Sequence, residues 1–261
     1  MEKDYSNRIL TVSEYLELIN EYLKPLNFSV SGEVSSVSDR AGNSVFFTVS
    51  DEKEPAKLEC VMWRFQYRNL GFKLEPGMKI QMSGASNIYK PSGKLSYVAS
   101  NIILTGEGAL QKAFEELKET LKNEGLFSQE RKRALPAYPK TIGLITADNS
   151  DAKKDFETHL GNYGFKIYFY DVRVEGLKSA ENVVQAIKYF NENFTDVDIL
   201  TITRGGGSLE SLQAFNSEGV ARAVFSSRIP VVSAIGHERN FTICDMVADV
   251  RASTPTDAGK I

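Results

Sequence analysis

The chain has 261 residues, of which 42% are hydrophobic and 25% are charged, and its formal net charge is −3. This length suffices for two ordinary domains with separate cores, and the composition is that of a globular protein. A chain with this charge has no overall attraction for nucleic acid, so any nucleic acid site must be a local patch.

The sequence contains no apolar run near the ~20 residues of a membrane span, and no signal peptide opens it. We therefore expect a cytoplasmic protein without a membrane partner. Cys60 and Cys244 are far apart and predict neither a disulfide framework nor a zinc site.

The first third of the chain predicts one helix and a small β-domain. Residues 10–24 have apolar residues at helical spacing. Five short strands follow between Phe28 and about Leu104, separated by Gly-, Pro- and Asp-containing turns, with a helical segment between the third and the fourth. This order is typical of a five-stranded Greek-key barrel of the OB type.

A linking segment follows at residues 106–139. It begins with an amphipathic helix that Gly125 ends, and continues into the basic turn QERKRALP. Arg131, Lys132 and Arg133 in this turn form either a solvated surface cluster or a set of phosphate contacts, and the pattern leaves both interpretations open.

From Lys140 onward strands and helices alternate, which predicts an open, mostly parallel, Rossmann-like α/β domain at 140–261. The chain is thus predicted to consist of an all-β domain, an OB-fold barrel at 1–105, followed by the α/β domain. Ligands bind at the carboxyl ends of parallel strands, so residues that follow each strand are the candidates for function.

The stretch RGGGSLESLQAFN follows the strand DILTIT. Arg204 is a bidentate donor for an anion, and Gly205, Gly206 and Gly207 expose bare amides. Ser208, with apolar residues at helical spacing behind it, predicts a helix start, so the loop is either a phosphate site at a helix N-terminus or a capped tight turn.

Two further strand ends carry titratable residues. Asp155 lies about one turn into the helix after the first strand, and His237 follows the strand PVVSAIG. If the sheet is as predicted, both converge with Arg204 into a phosphoryl-transfer site in which His237 transfers a proton. Taken alone, Asp155 is explained as a solvated carboxylate in the first turn of a helix, and His237 as a residue that caps the end of a strand.

Three other polar residues are expected to have structural roles or to face solvent. His159 is expected to form a local hydrogen bond with Asp155. Asp245 and Asp249 are expected to face solvent or pair with Arg251, because no other metal-ligand spacing accompanies them.

These motifs resemble the large subunit of exodeoxyribonuclease VII over nearly the whole chain. The resemblance rests on RGGGS-x-E-x-L-x-x-FN, GHE and AD-x-RA-x-TP in this order, on the junction EGLFSQERKRALPAYPKTIGLIT, and on GEVSSVSDRAGNSVFFTVSDEKEPAKLECVMWR in the OB region. It implies processive hydrolysis of single-stranded DNA from either end to oligonucleotides with 5′-phosphates. No cofactor is required, and Mg²⁺ is at most a stimulator.

The resemblance also implies roles for single residues. Asp155, Arg204 and His237 match the catalytic positions of the family, and Asn240 stands where the family reads GHE-x-D. In the OB domain, bases are expected to stack on aromatic side chains, about half of the candidates being core by strand alternation. These candidates are Phe46, Phe47, Trp63, Tyr89 and Tyr97.

The sequence departs from the family pattern at several positions. Asn240 cannot ionise, Ser211 replaces an aspartate, and Ala147, Asp148 and Ser150 replace the usual residues before Asp155. The sequence stops where the family continues into a coiled coil, the region expected to bind the exodeoxyribonuclease VII small subunit.

Three functions remain open on the sequence. The first is a metal-independent exonuclease subunit. The second is a catalytically impaired OB-fold module that binds single-stranded DNA. Asn240, the absent C-terminal region of the family and the lack of a net positive charge favour it. The third, an enzyme that binds a nucleotide or sugar phosphate, depends on the glycine loop alone.

Overall fold

The computed structural model describes residues 9–39, 42–208, 210–235 and 241–261. The chain divides into two compact units, the first made of Met1–Arg68 and Leu74–Ile103, the second of Asn69–Lys73 and Leu104–Ile261. Among the described residues no helix combines the length and the apolar character that a membrane crossing needs.

The first unit is a five-stranded mixed β-sheet with two helices. Its elements are α1 (Val12–Leu23), β1 (Asn27–Ser38), β2 (Ser44–Ser50), β3 (Lys57–Trp63), α2 (Arg64–Arg68), β4 (Lys79–Tyr89) and β5 (Lys94–Thr105). The strand order is β1-β2-β3-β5-β4. Strand β1 pairs antiparallel with β2 and with β4, and β3 pairs parallel with β5.

Alternation along these strands builds the core of the first unit. In β2, Val45, Phe47 and Val49 are buried, whereas Phe46 between them is exposed. Because successive side chains of a strand point to opposite faces, each strand supplies one inner row and one outer row. The predicted OB-fold domain is confirmed.

The second unit contains a five-stranded parallel sheet. Its elements are α3 (Glu107–Asn123), β6 (Thr141–Thr146), α4 (Asp151–Leu160), β7 (Lys166–Asp171), α5 (Ser179–Asn193), β8 (Ile199–Arg204), α6 (Glu218–Ser226), β9 (Val231–Ile235), α7 (Ile243–Val247), β10 (Val250–Arg251) and α8 (Pro255–Ala258). The strand order is β10-β9-β8-β6-β7, and neighbouring strands are parallel. The predicted α/β domain with a parallel sheet is confirmed.

The two faces of this sheet carry separate cores. On one face Leu200 and Ile202 of β8 pack in a cluster with residues of α5. On the other face Ile142 and Leu144 of β6 pack in a cluster with Phe156 of α4. Helices therefore cover both faces, and this explains why β6 and β8 are buried along their full length.

Helix α3 lies within the second unit. Its Leu121 is fully buried in the core cluster that contains Leu200, and Leu117 and Leu126 join it there. The amphipathic pattern that predicted a linking helix thus buries its apolar stripe in the α/β unit.

Candidate functional site

The sheet order of the second unit indicates where a ligand would bind. Strand β6 lies between β7 and β8, so the chain moves to one side of β6 and then returns to the other side. In open α/β sheets the crevice at such a reversal, outside the carboxyl ends of the strands, is the usual ligand site. Strand β6 ends at Thr146 and β8 ends at Arg204, so the loops after these residues form the candidate site.

Arg204 is the buried charge of this site. Its side chain is 5% exposed, and its Nη2 forms an ion pair with Oε1 of Glu175, which follows β7. Its Nη1 is buried and has no hydrogen-bond partner in the described part of the chain. A buried donor without a partner costs about 1–3 kcal/mol, so this nitrogen is suited to an acceptor that a ligand brings.

Gly207 lies directly against the guanidinium of Arg204. A Cβ atom at this position would come within 2.7 Å of Nη1 of Arg204 and 2.3 Å of Oγ of Ser211. No side chain fits there without moving one of them, so the close approach of the arginine requires glycine. Gly206, Gly207 and Ser208 are exposed, and Gly205 is half-buried.

The predicted helix start at Ser208 is wrong. The Ser208 carbonyl accepts hydrogen bonds from Leu212 N–H (3.1 Å) and Ser211 Oγ (2.8 Å), which close one turn. A 3₁₀ helix, Gln213–Asn216, follows, and the next α-helix is α6, capped by Ser217. The glycine loop is therefore closed by a turn, and the helix-dipole argument for anion binding does not apply to it.

Asp155 lies on α4 and is exposed. Helix α4 covers the sheet face opposite to the one that carries Leu200 and Ile202, and Arg204 shares the latter face by strand alternation. Within the described ranges no hydrogen bond or ion pair joins Asp155 to Arg204, and their predicted convergence stays a prediction. His159 Nδ1 donates to the backbone carbonyl of Asp155 at 2.8 Å, so the expected local bond uses the main chain and leaves the carboxylate free for other contacts.

His237 and Asn240 lie outside the described residues, as does the whole segment 236–240. The roles predicted for them stay predictions.

The expectation that Asp245 and Asp249 face solvent is wrong, since both are buried. Asp249 pairs with Arg133, and the charge of Arg251 acts on Asp245. Asp245 is buried and accepts hydrogen bonds from Ser233 Oγ (2.6 Å) and from N–H and Oγ1 of Thr242, which makes it part of the N-terminal cap of α7. Burial raises the pKa of its carboxyl group above the usual 3.8, although these hydrogen bonds oppose the shift. The described residues contain no group of His, Cys, Asp and Glu side chains that could hold a metal ion.

Two of the three basic residues in the linking turn contact the protein itself. Lys132 Nζ donates to the carbonyls of Met246 (3.2 Å) and Ala248 (2.8 Å) at the end of α7. Burial lowers the pKa of this amino group. Arg133 Nη2 forms an ion pair with Asp249 Oδ2 at 2.8 Å.

Arg131 differs from its two neighbours. It is exposed, and its guanidinium carbon lies 5.1 Å from the ring centre of Phe225. Of the three predicted phosphate contacts, Arg131 therefore has the side chain most available to a ligand.

The five aromatic candidates of the OB domain fall into two groups. Phe47 and Tyr97 are 3% exposed and belong to the core, where the hydroxyl of Tyr97 donates to the Phe28 carbonyl. Phe46, Trp63 and Tyr89 are 57%, 49% and 61% exposed. Strand alternation was expected to bury about half of them, and it buries two.

Phe46 and Trp63 share the outer face of β2 and β3. Ser44 is the register partner of Trp63, and Phe46 is two residues further along β2. Side chains in such diagonal positions are about 7–8 Å apart, so two aromatic rings stand next to each other on the surface. We call Phe46 and Trp63 the aromatic face.

A cleft of about 450 Å³ adjoins the aromatic face. Its lining residues are Asn43, Trp63, Arg64, Phe65 and Arg68. Arg64 is held in place by Asp39 at 2.7 Å and by the Gly42 carbonyl at 2.6 Å. Arginine guanidinium groups beside exposed rings are the side chains that bind a nucleic acid backbone next to its bases.

Sequence reasoning missed two residues of these sites. Glu175 follows a strand of the parallel sheet, and the strand-end rule that selected Arg204 would have selected it as well. Phe65, two residues after Trp63, is 67% exposed, and an apolar residue in a short polar helix was the available signal.

Known proteins are similar to this chain in both units. The family "Exonuclease VII, large subunit" matches residues 126–261, and the family "OB-fold nucleic acid binding domain" matches residues 10–103. Rim1, a mitochondrial single-stranded DNA binding protein of S. cerevisiae, aligns with 31% of this chain and 94% of its own, at 13% identity and a TM-score of 0.26.

Curated relatives match the whole chain. The exodeoxyribonuclease 7 large subunit of Ruminiclostridium cellulolyticum is 40% identical over 98% of this chain and 64% of its own length. The protein of the same name from Bacillus cereus is 40% identical over 100% of this chain, which spans 58% of that relative. The chain belongs to the family of exodeoxyribonuclease VII large subunits.

Proposed function

We propose that this chain carries the single-strand-binding and nucleolytic parts of an exodeoxyribonuclease VII. In this proposal it hydrolyses single-stranded DNA from either end without a required metal ion, with Mg²⁺ at most as a stimulator. Water attacks the phosphorus of a phosphodiester, the bond from phosphorus to the 3′-oxygen breaks, and the released oligonucleotide carries a 5′-phosphate.

The observation that carries the proposal is the buried Nη1 of Arg204, which has no partner among the described residues, beside the exposed Gly206 and Gly207 at the reversal point of the sheet. A phosphate oxygen supplies the acceptor that this nitrogen lacks. Charge that builds on the non-bridging oxygens during the reaction is stabilised by the guanidinium and by amides of Gly205–Ser208.

The remaining roles follow the family resemblance. His237 transfers a proton to or from the reacting oxygens, Asp155 orients the water or the histidine, and Asn240 occupies the position of the family's aspartate. We expect the small subunit to bind through the coiled-coil region of the family.

We propose that the OB domain binds the strand through the aromatic face. Phe46 and Trp63 offer two neighbouring rings for stacking, and Arg64 and Arg68 of the adjoining cleft offer charge to the backbone. The net charge of −3 makes such a local patch necessary.

We infer two finer features of the fold. Pairing of β1 with both β2 and β4 supports closure of the first sheet into an OB barrel. A parallel sheet that reverses at β6, with helices on both faces, supports a doubly wound, Rossmann-like second domain, and we place the domain limits at 1–105 and 140–261.

Digestion of an end-labelled single-stranded oligonucleotide tests the activity. The parent chain is compared with Arg204→Ala and Asn240→Asp. Cleavage by the parent that Arg204→Ala abolishes supports the proposal, and cleavage by Asn240→Asp alone indicates that this chain is a disabled enzyme. Binding without cleavage by any of the three, even with the small subunit added, favours the DNA-binding module.

A further inference from the structure

The guanidinium of Arg204 needs a fixed orientation if it is to present one nitrogen to a ligand. Its side chain is 5% exposed, and the only described carboxylate that pairs with it is that of Glu175. A buried charge requires a compensating partner. The pairing uses Nη2 alone. The two ends of the guanidinium therefore have different surroundings: a carboxylate at Nη2 and, within the described ranges, no acceptor at Nη1.

The loop that carries Glu175 is anchored on both sides. Val172 before it is buried in the core cluster of the α5 face, and Val174 packs against that cluster. Gly176 after it has a φ of 86°, a conformation that favours glycine. The Gly176 carbonyl accepts from Ser179 N–H (3.1 Å) and Ser179 Oγ (2.6 Å) at the start of α5. Although its own side chain is 61% exposed, Glu175 thus projects from a well-defined backbone.

The other side of the guanidinium is closed by Gly207. A Cβ there would lie 2.7 Å from Nη1 and 2.8 Å from Nη2 of Arg204, so the guanidinium rests against the bare backbone of the loop. Glu175 and Gly207 therefore confine the group from two directions.

We propose that Glu175 is a positioning residue, which holds Nη2 of Arg204 so that Nη1 faces a phosphate oxygen at the glycine loop. This inference rests on the proposed function for the ligand, but the positioning itself is a property of the free protein. Glu175 does not touch the phosphate. Its negative charge weakens anion binding, so its benefit lies in the orientation of the arginine.

The charge and the hydrogen bond of Glu175 are separated by two variants. Glu175→Gln keeps an oxygen that accepts from Nη2 and removes the negative charge. Glu175→Ala removes both. We expect Glu175→Gln to retain the arginine orientation and to bind phosphate at least as tightly as the parent, whereas Glu175→Ala loses the orientation.

The first measurement is NMR of the Arg204 guanidinium in protein labelled with ¹³C and ¹⁵N in arginine, assigned by its loss in Arg204→Lys. We expect separate Nη resonances in the parent chain and in Glu175→Gln, and averaged resonances from free rotation in Glu175→Ala. Averaged resonances in the parent, or separate ones in Glu175→Ala, overturn the proposal. Inorganic phosphate is then added, and it should shift the Arg204 signals of the parent and of Glu175→Gln but not those of Glu175→Ala.

The second measurement is the cleavage of single-stranded DNA by the same variants. We expect kcat of Glu175→Ala to fall about 10- to 100-fold, the size of loss that misplacing a group by about 1 Å produces, with KM within about threefold because DNA binding elsewhere is intact. Glu175→Gln should restore kcat. If Glu175→Ala cuts as fast as the parent, the positioning role is refuted while the proposed function stands. If Arg204→Ala also cuts at the parental rate, the proposed role of Arg204 in cleavage fails. If the parent binds DNA and does not cut it, the proposed nucleolytic function fails, and in both cases the NMR result still decides the orientation.

Discussion

At the scale of single residues, the site depends on how closely Arg204 and Gly207 approach each other. A buried guanidinium is costly unless its nitrogens have acceptors, and Nη1 has none in the described structure. Because Gly207 has no Cβ atom, the guanidinium can lie directly against the backbone of the glycine loop. Arg204 was predicted from its place at a strand end. Glu175, its partner, follows β7 and the same strand-end rule could have selected it. The contact itself joins the loop after β7 to the end of β8, two strands that are not neighbours, so no local pattern reveals the pair.

Replacement of Gly207 by alanine tests this approach. Its Cβ would lie 2.7 Å from Nη1 of Arg204, so the guanidinium has to move and the cleavage rate should fall about 10- to 100-fold. Gly219→Ala is the matched control, since its Cβ would meet nothing closer than Val184 Cγ2 at 3.7 Å. Initial rates and thermal melting are measured for both. Equal rates for the two variants would show that the arginine does not need the bare loop.

Asp245 predicts a pH dependence of stability. Its pKa is raised in the folded state by burial, so the folded protein keeps this proton at pH values where the unfolded chain has lost it. The contribution to stability is full below the unfolded pKa and is lost as the pH rises through the folded pKa. Asp245→Asn removes this titration. The unfolding free energy of the parent relative to that variant should fall as the pH rises from 3.8, which urea titrations at several pH values measure. A difference that is constant or rises with pH would contradict the assignment.

At the scale of elements, strands were easier to predict than the turn after β8. In the OB region apolar and other residues alternate with a period of two along the sequence. In the structure, buried and less buried side chains alternate along β2 and β3 in the same way. Ser208, Leu212 and Phe215 predicted an α-helix, yet Leu212 and Phe215 are three residues apart, a spacing that a 3₁₀ helix also satisfies. Phe215 N–H indeed donates to the Leu212 carbonyl at 3.0 Å. The apolar pattern therefore identified the buried residues correctly and the helix type wrongly.

The basic turn holds the end of α7 and the strand beside it. Asp249 accepts from the backbone N–H of Arg133 (2.7 Å) and of Val231 (2.7 Å), and Arg133 supplies the only cation that pairs with it in the described part of the chain. The side chain of Asp249 is 2% exposed, so removing the cation leaves a buried charge without compensation.

Arg133→Met should therefore cost about 3 kcal/mol of unfolding free energy. Arg131→Met, which removes only an exposed contact with Phe225, should cost less than about 1 kcal/mol. Urea denaturation measures both, and binding of single-stranded DNA is measured in parallel. If Arg133→Met is as stable as the parent but binds DNA less tightly, Arg133 is a phosphate contact and its structural role is refuted.

At the scale of the whole molecule, two units carry separable parts of one proposed activity. The OB unit offers the aromatic face, and the α/β unit offers the arginine and the glycine loop. Family membership was predicted from motif order, which needs no structure. The sequence predicted that about half of the aromatic candidates are buried, but not which ones. Phe46 and Trp63 are exposed and Phe47 and Tyr97 are buried because the registers between strands decide which row of side chains faces inward.

If the OB unit binds DNA through the aromatic face, a change in that face should weaken DNA binding. Trp63→Ala should weaken binding of a single-stranded oligonucleotide by about 1–3 kcal/mol, the value of one stacked base. Tyr163→Ala is the control, since Tyr163 is 83% exposed in the second unit. Fluorescence anisotropy with a labelled oligonucleotide gives both affinities. An unchanged affinity for Trp63→Ala would exclude the aromatic face as the binding surface.

We propose that Arg204, beside the glycine loop, holds the scissile phosphate in a reaction that needs no metal. The most direct measurement is digestion of an end-labelled single-stranded oligonucleotide in EDTA by the parent chain and by Arg204→Ala, with the small subunit present. We predict shortening by the parent and none by Arg204→Ala at unchanged DNA binding. Equal shortening by both proteins, or cleavage by the parent only when a divalent metal is restored, would contradict the account.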